Sequence, residues 1–130
     1  MKVQVSKIYN AATAIDQMHI RHELPYRTVR EFQQIRRMLK TEAETLISEQ
    51  AKLIELHNGK TGDSGRISFS NRDDLNAFET AWKNLMDEEI DLDFTPLDVS
   101  EYAESVKFDA VDADIDALSA FIILERGDNG

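Results

Sequence analysis

The chain has 130 residues and carries 25 Asp and Glu against 15 Lys and Arg, a formal net charge of −10 at pH 7. That length suits one domain, and 42% apolar with 31% charged residues is the composition of a chain with a core, not of a disordered one. The lack of cysteine excludes a disulfide scaffold, thiolate metal sites and a cysteine nucleophile. The acidic balance runs against a general nucleic-acid binder, so direct nucleic-acid binding is not expected.

The first segment reads as a helix over Ser6–Ile20, with Ser6 as its N-cap and Ile8, Ala12, Ile15 and Met18 at helical spacing. Pro25 ends it and suits the first turn of the next helix, where a missing amide costs nothing. Residues 26–58 contain neither glycine nor proline. Phe32, Leu39, Leu46 and Leu53 recur every seven residues there, and Ile35, Ala43, Ile47 and Ile54 widen the stripe. A helix of about thirty residues would run ~45–50 Å, longer than a small domain, and needs pairing along its length by another helix or another subunit. The heptad row is therefore the expected seam of a homo-oligomer. Asn58-Gly59 is a C-cap signal.

Residues 59–65 read as a loop with three glycines, and Arg66–Ser70 alternates like a half-buried strand. Ser70 or Asn71 then caps a helix carrying Leu75, Phe78, Trp82 and Leu85. Ile90, Leu92 and Phe94 alternate with Asp91 and Asp93, a strand that Pro96 breaks. Leu97 and Val99 fit a sheet edge, and Val106 with Phe108 a further short strand. Asp112 is the expected cap of a last helix with Ile115, Leu118, Phe121 and Ile122. The predicted fold class is α+β: a long helical hairpin or arm over residues 1–58, joined to a small antiparallel β-sheet with two shorter helices over 66–124. Residues 1–125 read as a single domain and 126–130 as a disordered tail.

No apolar run approaches the ~18 residues of a membrane span, and the N-terminus lacks the apolar stretch of a signal peptide. The expectation is a soluble, intracellular protein without a membrane partner. Charge is unevenly spread. Residues 1–60 hold ten cations against seven anions, and residues 61–130 hold five against eighteen. Two surfaces stand out. One is acidic: Asp87, Glu88, Glu89, Asp91, Asp93, Asp112, Asp114 and Asp116. Carboxylates at strand spacing can imitate a phosphate backbone and occupy a basic groove on another protein. The other is basic: Arg27, Arg30, Arg36 and Arg37, with Tyr26 beside them and Arg21 and His22 just before. Guanidinium forks suit a phosphate-bearing, nucleotide-like ligand. The plain alternative for both is a solvated charged face.

Other motifs are incomplete. His19 and His22 stand three apart but lack further metal ligands. Gly59-Lys60-Thr61 lacks the earlier glycine and the strand-to-helix setting of a phosphate loop. No nucleophile–base ordering or cofactor turn is present, so no catalytic, cofactor or metal residue is assigned and a non-enzyme is expected.

The layout resembles a family of short proteins encoded by tailed bacteriophages and prophages. The resemblance rests on the helix Ser6–Ile20, on Leu24-Pro25 opening a long charged helix that ends near Leu53–His57, and on the glycine loop with Ile67-Ser68-Phe69. It continues through a helix running into Asp87-Glu88-Glu89-Ile90-Asp91-Leu92 and a short acidic last helix. It implies an accessory role in the host cytoplasm with no functional residue to carry over. The expected function is a binding protein that blocks or sequesters a host component of antiviral defence. It would act through the acidic face against a nucleic-acid-binding protein, or as an oligomeric sponge for a nucleotide-like signal. The alternative is a structural or tail-assembly accessory protein.

Overall fold

The computed structural model describes residues 1–20, 24–108 and 114–124. The fold is α+β. Strand β1 (Lys2–Gln4) leads directly into helix α1 (Val5–Asp16), and strand β2 (Met18–Ile20) follows it. The long helix α2 spans Tyr26–Leu56. Strands β3 (Gly59–Thr61) and β4 (Ile67–Phe69) precede helix α3 (Arg72–Asp87). Strands β5 (Glu89–Asp91) and β6 (Leu97–Asp98), a 3-10 turn over Ser100–Ser105 and strand β7 (Val106–Phe108) come next. A single-turn helix, α4 (Ile115–Leu118), and strand β8 (Ile122–Ile123) complete the described chain.

Among the described residues the strands form four separate pairs, where a single small antiparallel sheet was expected. β1–β5, β2–β7 and β3–β4 are antiparallel, and β6–β8 is parallel. Two of the pairs clip distant segments together: Val3 lies opposite Ile90, and Met18 opposite Phe108.

The first helix is shorter than its sequence suggests. It starts at Val5 with Gln4 at the N-cap and no side-chain cap, so Ser6 lies inside the helix. It stops at Asp16, because Met18 and His19 are drawn into pairing with Phe108 and Lys107. His19 therefore stands on a strand, not on a helix, and His22, like Arg21, lies outside the described residues. Residues 59–61 are strand, where a loop was expected, and pair with 67–69. Gly59 is required there, since a Cβ would fall 2.6 Å from Phe69 Cε1 and 2.8 Å from Ile54 Cγ2. Asn58, at φ 61°, takes the left-handed turn that ends α2. Ile122 lies on a strand, not on the last helix, and that helix is capped by Asp114, which accepts from the Ala117 amide at 2.9 Å. Asp112, the expected cap, lies outside the described residues, as does the tail beyond Leu124. Asn71 does cap α3, accepting from the Asp74 amide at 2.8 Å.

One apolar cluster joins the helices to the later strands. It includes Ile8 and Ile15 of α1, Leu39 of α2, and Val99, Leu118, Phe121 and Ile122, all fully or nearly fully buried. Ala11, Ala12 and Ala14 let α1 sit close to its neighbours α2 and α4. Phe94 stacks on Phe121 with ring centroids 5.0 Å apart, and Tyr9 meets Trp82 edge-on at 6.0 Å.

The heptad row of α2 is used within the chain. Phe32, Leu39 and Leu46 are buried in this cluster and Leu53 is half-buried. Helices α1 and α3 and strands β3 and β6 pack along α2. Of the expected seam, Phe32, Leu39 and Leu46 therefore already have partners in the same molecule. Ile47, read as part of the stripe, is exposed instead.

Candidate functional site

The acidic segment runs from the end of α3 into β5. Asp87 is the last residue of α3, and Glu88, in extended conformation, is its C-cap. The Glu88 carbonyl accepts from the Val5 amide at 2.8 Å, and the Leu92 amide donates to the Met1 carbonyl at 2.9 Å. Between them β5 pairs in register with β1. Leu92 is buried and Ile90 half-buried against the core, while Asp87, Glu88, Glu89, Asp91 and Asp93 are exposed. Alternation thus does here what strand periodicity requires: apolar side chains inward, carboxylates outward.

The carboxylates are not equivalent. Asp91 is met by the terminal amine of Met1 at 2.8 Å and lies opposite Lys2 in the ladder. Glu89 borders a shallow depression shared with Lys2 and Lys7. These cations sit some eighty residues away in sequence, and nothing linear ties them to the acids. Asp87, Glu88 and Asp93 have no ion-pair partner among the described residues. Asp87 and Glu88 also stand at the C-terminal end of α3, where the helix carries partial negative charge and no basic residue occupies the last turn. Two like sources of field therefore coincide at one exposed edge. Asp114 and Asp116 belong to the start of α4. Both are exposed, and Asp114 is engaged as its cap.

The arginines divide. At ~100° per residue, Arg30 and Arg37 fall within ~20° of each other and Arg27 within ~80°, on the side of α2 turned away from the buried stripe. All three are exposed, and Tyr26 is 81% exposed. Arg36 lies about 100° round the helix from Arg37. Its Nε donates to Asp16 Oδ1 of α1 at 3.1 Å, so the guanidinium is exposed and paired. It lines a groove of about 420 Å³ between α1 and α2, with Tyr9, Lys40, Glu44 and the exposed Ile47. The structure does not bring the four arginines to one place.

Among the described residues no group of three or more His, Asp and Glu is arranged to hold a metal, and no helix is long and apolar enough to cross a membrane. No protein-family model, no curated protein and no solved structure matches the chain.

Proposed function

We propose that this is a non-enzymatic binding protein of bacteriophage type. It presents the edge Asp87–Asp93 to the basic surface of a host nucleic-acid-binding protein, one that serves antiviral defence, and so blocks it. The observation that carries the reading is the coincidence of Asp87, Glu88 and Glu89 with the negative end of α3, on a backbone fixed by β1. Bringing like charges together costs free energy in the isolated molecule, and a cationic partner turns that cost into attraction. The edge is held in place by the buried Leu92 and by pairing with β1, so binding does not have to order it first.

The test is affinity capture from host lysate with the full chain and with a Glu88→Lys/Glu89→Lys variant. The expected result is a basic protein retained by the wild type, released by added duplex DNA and by salt, and absent from the variant eluate. Capture of the same protein by both forms would sink the reading. Retention of virion components would move it to an assembly role. A nucleotide-like ligand carried through purification and seen by native mass spectrometry would instead favour the arginines.

A further inference from the structure

A second groove lies on the other side of α2, at its N-terminal half. It has a volume of about 400 Å³ and is formed by α2 and the segment 93–96. Its apolar lining is the buried Ile35 with the half-buried Met38, Phe94 and Pro96. Phe94 is held by its stack on the fully buried Phe121, so one wall is rigid. Met38 on the other wall is unbranched and polarizable, and adapts to what is laid against it. One carboxylate stands on each wall, Glu31 from α2 and Asp93 from the loop. Both are exposed and neither has an ion-pair partner among the described residues. No Lys, Arg or His among the described residues lines the groove.

An apolar floor between two unpaired carboxylates repels an anion and calls for a cation on an apolar stem. Lysine and arginine both lay such a stem along apolar surface. They differ at the head. The lysine ammonium is compact and strongly hydrated, and stays in water. The guanidinium is planar and weakly hydrated, and it packs against aromatic side chains such as Phe94. Its five donors can also serve carboxylates on two walls at once. The groove adjoins the acidic edge. Asp93 is the last residue of that edge and stands four residues from Glu89, at most ~14 Å of extended chain. A basic segment lying along Glu88 and Glu89 therefore has the groove within reach of one of its side chains.

We propose that this groove seats an arginine side chain of the basic partner, from the same segment that lies along the edge. The inference rests on the reading of Asp87–Asp93 as a docking edge for a basic protein, and it adds a specificity element to it. The edge attracts any cation. The groove selects arginine over lysine, with Met38 and Phe94 against the guanidinium plane and Glu31 and Asp93 accepting its hydrogen bonds.

The test uses the full chain with two probes of equal charge, acetylated hexa-arginine and hexalysine peptides, at one fixed ionic strength. The wild type should bind hexa-arginine about tenfold more tightly, the factor for one charge-assisted hydrogen bond made by arginine and not by lysine. Glu31→Gln and Asp93→Asn keep side-chain size and remove charge, and each should bring that ratio close to one. Glu88→Lys/Glu89→Lys should weaken both peptides and leave the ratio in place. In a methyl spectrum of the methionines, the Met38 signal should move with hexa-arginine and stay still with hexalysine. Equal affinity for the two peptides, or no binding of either, overturns the proposal. So does a preference that survives Glu31→Gln, or a Met38 signal that stays still while hexa-arginine binds. Failure of the edge reading looks different: Glu88→Lys/Glu89→Lys then leaves both affinities unchanged, while a preference that still depends on Glu31 keeps the groove as an arginine site in its own right.

Discussion

The acidic edge and the outer row of α2 are both charged, both exposed, and differently supported. Glu88, Glu89 and Asp91 depend on a strand that holds its place only because Leu92 is buried and β1 pairs beside it. Tyr26, Arg27, Arg30 and Arg37 stand on a helix whose opposite side is buried, and the helix would hold them in the same relation with few neighbours. The edge is a product of tertiary structure, and the row is nearly a product of local structure. A perturbation of the core should therefore disturb the edge first.

The largest expected effect follows from that difference. Leu92→Ala removes the buried anchor beside the edge and should cost about 2–5 kcal/mol in chemical denaturation. Amide exchange should accelerate in β1 and β5 before it does in α2. If exchange in α2 rises as steeply, the edge has no separate support and the comparison fails. Gly59→Ala acts elsewhere. Its Cβ would meet Phe69 and Ile54 at under 3 Å, and overpacking of that kind costs about 1–3 kcal/mol. It should loosen the β3–β4 hairpin and leave charge-dependent binding at the edge unchanged. Asn71→Ala removes the cap of α3 and should cost about 1 kcal/mol. The cap lies at the end of α3 opposite Asp87, so a loss of binding larger than this stability loss would mean that the edge depends on the whole helix and not on the β1–β5 clip.

These outcomes bear on what could be read from the sequence. α2 was legible because thirty residues without glycine or proline carry one periodic stripe, and the cap at Asn71 because it is a local signal. The strands were harder. β1, β2, β3 and β8 have two or three residues each, too few for periodicity to declare itself. Met18 and His19 suit a helix as well as a strand, and the choice was made by Phe108 and Lys107 some ninety residues on. The exposure of the acids followed from the alternation at Ile90 and Leu92. Their inequality did not, because Met1, Lys2 and Lys7 are brought there by the fold. The groove beside Phe94 was invisible for the same reason, its two walls being some sixty residues apart. A seven-residue row says that a helix is covered, not by what, and here Phe32, Leu39 and Leu46 are covered within the molecule.

The smallest effect separates arginines that adjoin in sequence. Arg36 reaches Asp16 across the α1–α2 groove, with both side chains substantially exposed. Arg37 projects from the outer row. Exposed ion pairs contribute about 0.2–1 kcal/mol, less in salt, because water screens the attraction and two long side chains lose rotamer freedom. Arg36→Ala should cost that much at low ionic strength, and the cost should shrink in ~0.5 M salt, where the Debye length falls below ~5 Å. Arg37→Ala should stay within about 0.5 kcal/mol of wild type at either salt. Arginine and alanine are both good helix formers, so propensity contributes little to the difference. A double-mutant cycle with Asp16→Ala isolates the pair: coupling should appear with Arg36 and vanish with Arg37. Equal coupling to both would mean that α1 holds Asp16 between the two arginines, and the outer row would then lose its separateness from the groove.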